Sequence, residues 1–398
     1  MSVYIENIQA FFLDLVRLYN ESNFTRNYLI VYYTIMKKFL SAKVLLGISF
    51  YFLFAVTFLS AQDKYYASHI NTSLTDFEKS SLSIFDDLED EPELKITIES
   101  NFTDLLANKN EDKYQPAVIS YTSENGETFQ TALKLKARGK FRRKICDFPP
   151  LKLKFGKEDL VEDGYIPNYK SLKLVTHCLD SEEEKQNVIR EYLAYKLYNQ
   201  LTPQSFEVKL VEVTYVNSSS SEEPTVRFGF LIENTKEMSD RLKGDEIEEY
   251  NMSLNVMDNA DRQVFSMFQF MIGNTDWKTD MMHNIKIVKT DDGKETILVP
   301  YDFDFAGLVN TSYAKPNPDL KQISVKQRIF MDKVKDLDEL ETIIRYFKKH
   351  KDSLFDIVKN MEELDKKNKK EVLQYLNSFY KILDNSSQSR DAFVSESL

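Results

Sequence analysis

The sequence predicts an α+β fold in which a β-rich amino-terminal lobe precedes a mainly helical carboxy-terminal lobe. Three observations carry that expectation. Residues 92–176 hold the segments LKITIES, AVISYTS, TFQTALKLKARG, LKLKFG and SLKLVT. These alternate apolar and polar residues or run β-branched, as half-buried strands do. From Glu182 to Leu201 the apolar spacing becomes helical: Val188, Tyr192 and Tyr195 mark one stripe, with Ile189, Leu193 and Leu197 beside it. From Asp332 to Leu383 the pattern reads as three charged amphipathic helices.

In chain order, the first informative segment is 44–59, VLLGISFYFLFAVTFL, which is uncharged and shorter than the ~20 residues a bilayer span takes. MKKFLSAK precedes it from Met36, and Ser60-Ala61-Gln62 follows. A basic start, an apolar run and a small residue before a polar segment describe a secretory signal peptide over 36–61. Residues 1–35 fit no signal n-region and read as an over-called upstream extension. Residues 62–91, acidic at Asp86-Asp87 and Glu89-Asp90-Glu91, read as a flexible lead-in. The mature chain is expected to be secreted or to lie in the periplasm or cell envelope, with no stable membrane span once the signal is removed. An oxidising compartment favours a disulfide between Cys146 and Cys178.

Residues 92–235 form the expected β-rich lobe with one long helix. Glu124-Asn125-Gly126 signals a hairpin turn. Pro203 ends the helix, and residues 206–216 and 225–233 read as strands around a Ser/Glu loop. In the second lobe, 236–398, Asp261 to Ile272 is apolar on several faces and reads as a buried helix. IKIV and ETILVP follow, joined by Asp291-Asp292-Gly293, a strong hairpin turn.

Composition narrows the function. With 42% hydrophobic and 13% aromatic residues among 398, the chain can bury a sizeable core. Only 10 residues are glycine, and no GxG or GxxxxGK[ST] occurs. This removes the dinucleotide fingerprint, the P-loop and the ordinary kinase glycine loop together. The net charge of −11 disfavours nucleic acid as a partner, because phosphate contacts supply most non-specific affinity. Two cysteines and four histidines, with no CxxC or HExxH, make no structural zinc site.

The stretch 273–307, GNTDWKTDMMHNIKIVKTDDGKETILVPYDFDFAG, carries the chemistry. A buried helix delivers a loop with Asp276 and Asn284. A tight hairpin then returns the chain to Asp302 and Asp304, so these residues are expected to converge. Three carboxylates and a carboxamide are hard oxygen ligands suited to magnesium or manganese. The order matches the kinase plan of catalytic-loop Asp, metal-binding Asn, hairpin and metal-binding Asp. The Asp-to-Asn spacing is eight residues against five in HRDxxxxN. Lys134, Lys136, Arg138, Lys140 and Arg142 fall on alternate residues, one face of a strand. Lys152 and Lys154 share a face opposite Leu151, Leu153 and Phe155, and Glu191 on the long helix is placed to pair with such a lysine. His283, Trp277 and His177 have structural readings at least as strong as functional ones.

These residues resemble the CotH family, the spore-coat-protein-H type of atypical protein kinase, in a secreted Bacteroidetes-like form. The matching pieces are KARGKFRRKICDFPPLKLKF (136–155), SLKLVTHC (171–178), VIREYLAYKLYNQL (188–201), FGFLIEN (228–234), FQFMIGNTDWKTDMMHN (268–284) and VPYDFDFAG (299–307). The resemblance implies a bilobal kinase-like fold, ATP with Mg²⁺ or Mn²⁺, and phosphorylation of an extracytoplasmic protein acceptor, chiefly on serine. By position it makes Asp276 the catalytic-loop Asp, Asn284 a metal or bracing residue, and Asp302 or Asp304 the metal Asp. Lys152 or Lys154 becomes the ATP lysine, Arg138 belongs to the motif after the basic strand, and Glu233 falls near the hinge. The alternative is a catalytically inactive, pseudokinase-like secreted binding protein.

Overall fold

The computed structural model describes residues 82–394 apart from 124 and 125. The chain divides between Phe77 and Glu78 into two units, and all described residues belong to the second. The upstream extension, the signal peptide, residues 62–81 of the lead-in and Glu124-Asn125 of the hairpin turn lie outside the described residues.

The elements run α1 (Ile84–Asp90), β1 (Lys95–Ser100), α2 (Phe102–Ala107), β2 (Gln115–Thr122), β3 (Thr128–Ala137), α3 (Arg142–Ile145), β4 (Leu151–Phe155), α4 (Lys157–Glu162) and β5 (Ser171–Val175). Then follow α5 (Glu182–Leu201), β6 (Val208–Asn217), β7 (Thr225–Ile232), α6 (Thr235–Arg241), β8 (Gly244–Ile247) and α7 (Asn259–Ile272). The chain closes with β9 (Ile285–Thr290), β10 (Thr296–Pro300), α8 (Leu337–Asn360), α9 (Lys366–Asp384) and α10 (Ser386–Phe393).

Seven strands form a closed barrel in the order β1-β2-β3-β4-β5-β7-β6. Neighbours pair antiparallel except at the closure, where β1 runs parallel to β6 with Ile96 opposite Val213. Closure leaves the barrel no free edge. Alternation directs Leu135, Leu153 and Leu172, which face one another across β3, β4 and β5, into the barrel core. The residues between them face outward. Helix α1 contributes Ile84, Phe85 and Leu88 to the same core, so this part of the expected lead-in is structured. Ser83 caps it with a reciprocal capping box.

The α+β class holds, but the expected bilobal kinase-like arrangement does not. The β-rich region is a closed mixed barrel, and the long helix does not belong to a separate amino-terminal lobe. On β7, Leu231 points into the barrel, whereas Phe230 and Ile232 point outward into a second core. That second core takes Leu193 and Leu197 of α5 together with Phe268 of α7, Phe347 of α8 and Leu376 of α9. Helix α5 is thus the wall common to barrel and helices, and it is buried on nearly every face for that reason. Ser181 caps it, and Glu182, Glu183 and Glu184 occupy its first turn, where the helix dipole favours negative charge. The stretch 332–383 holds two long helices rather than three, and the third, α10, follows it. Hairpin β9–β10 gains an unexpected third strand, β8.

Cys146, just after α3, and Cys178, three residues past β5, form a disulfide. Among the described residues no helix is long and apolar enough to cross a membrane. The bridge closes a separation of 32 residues. Replacing both cysteines by serine is expected to lower the unfolding free energy by ~3.5 kcal/mol, from the loop-entropy relation. Urea melts of both forms measure the difference, and equal midpoints would contradict it.

Candidate functional site

The site begins where α7 ends. Gly273 caps the helix at φ +67, a left-handed conformation that favours glycine. Its carbonyl accepts from the amide of Gly307 at 3.1 Å, so the two functional loops cross there. A Cβ on Gly307 would meet the Val325 carbonyl at 2.7 Å, which explains a glycine at that crossing. Between helix and hairpin, Trp277 packs edge-on against Phe265 at 5.1 Å and pins the loop to the core. Asp276 is then held on three sides. Asn274 Oδ1 accepts from its amide at 2.9 Å, and Asn284 Nδ2 donates to its carbonyl at 2.7 Å and to Oδ2 at 3.0 Å. His283 Nε2 lies 3.0 Å from Oδ1. That hydrogen bond raises the pKa of His283.

The hairpin returns the chain to Asp302 beside this group: the Tyr301 amide donates to the Asn284 carbonyl at 3.0 Å. Asp302 stands at φ +64, and its amide donates to the Tyr195 hydroxyl on α5 at 2.8 Å. Phe303 is fully buried against Tyr195 and Phe268. With Phe303 as anchor, the acidic residues on either side take different surroundings. The Asp302 side chain is 38% exposed, and that of Asp304 is 4% exposed.

Arg142 joins them. Its Nη2 donates to both oxygens of Glu191 at 2.9 Å and to Asp302 Oδ1 at 3.1 Å, and its Nε donates to Asp304 Oδ2 at 2.8 Å. The Tyr313 hydroxyl donates to the same Asp304 oxygen at 3.1 Å. One buried guanidinium thus serves three carboxyl groups. Burial drives Glu191 and Asp304 above the ordinary carboxyl range, and the neighbouring carboxylates add to this against the pull of Arg142. The same carboxylates hold Arg142 firmly protonated despite its burial. Glu191 and Asp304, held by one guanidinium, titrate as a pair.

On the barrel, Lys136, Lys152 and Lys173 are direct partners across β3, β4 and β5, all on the outer face. Like charges placed opposite one another across strands repel. Lys136 is relieved by an ion pair with Asp112. Among the described residues, Lys152 and Lys173 have no carboxylate at ion-pair distance. The Lys173 amine lies over the rings of Phe206 at 4.7 Å and Tyr301 at 5.5 Å, with a hydrogen bond to Thr235 Oγ1 at 3.2 Å. Burial, with Arg138, Lys286 and Lys152 nearby, pushes its pKa down to about 7. Tyr301 precedes Asp302, so this amine borders the carboxylate loop. Arg138 acts on the same place: its charge and that of Asp302 are both felt by Tyr195 and Tyr301.

Asp276 and Asn284 are together, and Asp302 is near enough to raise the pKa of His283. Asp304 instead turns to Arg142 and Tyr313. Among the described residues, no group of three or more His, Cys, Asp or Glu side chains is placed to hold a metal ion. Hard oxygens of Asp276, Asn284 and Asp302 remain the donor set that suits Mg²⁺ or Mn²⁺.

The alternate-residue row 134–142 is not one strand. β3 stops at Ala137, Gly139 turns the chain at φ +83, and Arg142 enters a helical turn that buries it. Glu191 therefore pairs with an arginine, not with Lys152 or Lys154. Lys154 points to solvent over Tyr114. Glu233 accepts from the Glu207 amide at 2.6 Å and pairs with Arg241 at 2.5 Å, bracing α6 against the barrel. The hub role of Arg142 and the position of Lys173 were missed. Lys173 had a readable signal, since SLKLV repeats the apolar–Lys–apolar alternation of LKLKF.

No family model matches the chain, and no curated protein matches it. The chain is similar to the crystal structure of the proinflammatory kinase CtkA of Helicobacter pylori, at 12% sequence identity and a TM-score of 0.36, over 65% of this chain and 94% of that one.

Arg142→Met is expected to destabilise the protein by ~3–5 kcal/mol at pH 8, because the buried Glu191 and Asp304 and the partly exposed Asp302 lose their cation. The raised acids make the native state bind more protons than the unfolded chain above the ordinary carboxyl pKa, so their contribution to stability falls as pH rises through that window. Loss of Arg142 steepens the fall, and the penalty shrinks at pH 5. Denaturant melts at both pH values test the sign, and a penalty independent of pH would contradict it.

Proposed function

We propose that the protein transfers the terminal phosphoryl group of ATP to a hydroxyl of an extracytoplasmic protein acceptor, a serine by preference, with Mg²⁺ or Mn²⁺, as an enzyme of the CotH type. One observation carries this reading. Lys152 of β4 and Lys173 of β5 stand directly opposite one another, without carboxylate partners among the described residues, and the Lys173 end of their row abuts the loop of Asp302. Such a row is electrostatically unfavourable by itself and fits a polyphosphate. The disulfide is compatible with an oxidising compartment.

Each residue then has a task. Lys173 and Lys152 bind the phosphate oxygens, and Arg138 adds charge at the same edge. Asp302, rather than Asp304, would hold the metal with Asn284, because Asp302 is partly exposed whereas Asp304 is buried against both Arg142 and Tyr313. The metal, when bound, neutralises charge developing on the phosphate oxygens. Asp276 accepts the proton of the acceptor hydroxyl as that oxygen bonds to the γ-phosphorus. The bond from γ-phosphorus to the bridging oxygen breaks, and ADP leaves with the electron pair. Asn284 and His283 hold the Asp276 carboxylate in place. Arg142 touches no reactant and positions Asp302. A non-catalytic nucleotide-binding role is favoured by one feature only, the absence of a preassembled acidic metal group among the described residues.

ATP with Mn²⁺ is expected to raise the melting temperature of the wild type and to be consumed. Asp276→Asn is expected to retain the shift and lose at least 100-fold in turnover, whereas Asp302→Asn loses both. A shift without any turnover in the wild type selects the non-catalytic role, and no shift removes nucleotide binding altogether.

Phosphate beside Lys173 favours its charged form. Binding is therefore expected to take up a proton at pH 8, and affinity to fall as pH rises above about 7. Calorimetry in buffers of different ionisation enthalpy measures this uptake, and Lys173→Met should abolish it. Affinity flat from pH 6.5 to 9 would remove Lys173 from the phosphate site.

A further inference from the structure

Phe141 and Arg142 are adjacent and face opposite ways. Arg142 is 5% exposed and holds the carboxylates, whereas Phe141 is 45% exposed. Single exposed apolar residues are ordinary, but Phe141 is not single. Its ring lies 5.5 Å from that of Phe305 and 6.0 Å from that of Tyr313, and the last two are 5.8 Å apart. Both partners are tied to the site: Phe305 follows Asp304, and the Tyr313 hydroxyl donates to the Asp304 carboxylate. The rings form an apolar step adjoining the cluster that holds the partly exposed carboxylate of Asp302.

Three lysines frame this step. Lys140 precedes Phe141, Lys144 follows it by one helical turn, and Lys315 lies two residues past Tyr313; all three are exposed. Among the described residues none of them forms an ion pair or a side-chain hydrogen bond. Arg143 is spent on the carbonyls of Asn110 and Glu111. Of the acids close by, Asp304 is committed to Arg142 and Glu184 to the amide and hydroxyl of Ser312. In a chain of net charge −11, three free lysines around an exposed ring cluster complement an anionic partner.

We propose that Phe141, Phe305 and Tyr313, framed by Lys140, Lys144 and Lys315, dock an acidic segment of the acceptor protein through one apolar side chain set beside its hydroxyl. The rings take the apolar group, and the lysines select glutamate or aspartate on either side of it. The proposal rests on the phosphotransfer reading for the word acceptor alone, since the docking is a binding property that needs no nucleotide.

The probe is a fluorescein-labelled peptide with a central serine followed by phenylalanine and flanked by glutamates. Its companions have glutamine for every glutamate, or alanine for the phenylalanine. Fluorescence anisotropy without nucleotide is expected to show the acidic peptide binding at least tenfold more tightly than either companion. Phe141→Ser is expected to weaken it tenfold or more, and the same variant raises the peptide KM with little change in kcat. The double variant Lys140→Glu with Lys144→Glu is expected to prefer a lysine-flanked peptide, a reversal that loss of folding cannot produce. Equal affinity for all three peptides, or unchanged affinity in Phe141→Ser, overturns the proposal. So does displacement of the acidic peptide by a neutral oligosaccharide, which would assign the rings to a glycan. Selective peptide binding without nucleotide binding sinks the phosphotransfer reading and upholds the docking surface; nucleotide turnover without peptide selectivity does the reverse.

Discussion

A single buried cation organises this molecule. Arg142 sits where barrel, long helix and carboxylate loop meet, and it satisfies Glu191, Asp302 and Asp304 at once. Without that cation Glu191 and Asp304 would be buried unpaired, and an unpaired buried carboxylate is expensive. The cluster also sets a division of labour. Arg142 and Tyr313 consume Asp304, and Asp302 is left as the partly exposed member. Such clusters contribute little net stability compared with an apolar core, yet losing one partner is costly. Their value lies in specifying one geometry.

That geometry is reinforced by covalent and packing constraints on the same residues. Cys146 follows the turn carrying Arg142, and its bridge to Cys178 ties that turn to the end of the strand carrying Lys173. Phe303, locked between Tyr195 and Phe268, holds the acidic loop from within. The contact between Gly273 and Gly307 fixes the crossing of the two loops. The site is therefore built from short segments, each anchored in a core, and little of it depends on a mobile loop.

The lysine face is the counterpart of the acid cluster, and it is left unbalanced. Three lysines across three strands repel one another, and among the described residues only Lys136 of the three has its own carboxylate. Lys173 is tolerated because two aromatic faces surround its amine and because it can shed its proton. Three acids share one cation, and among the described residues two of the three lysines have no acid. That asymmetry is what a polyanionic ligand and a divalent metal would relieve together.

Much of this was legible from residue patterns. The alternation of LKLKF and SLKLV, the period of residues 182–201 and the Asp291-Asp292-Gly293 turn are local signals, and local backbone preference decided them. The return of the chain from Asn284 to the Asp302 loop was also legible, because a hairpin must bring its ends together. Barrel closure was not, since the parallel match of β1 with β6 joins segments over a hundred residues apart and leaves no local trace. Nor was the choice of Arg142 over a lysine as the partner of Glu191. Gly139 marked the end of the strand, but only the packed helix showed which way the next residues turned. By itself the sequence determined the elements, their order and the acidic loop, all of which depend on neighbours in the chain. Tertiary structure alone decided which cation meets which acid, because burial and distance belong to the folded whole.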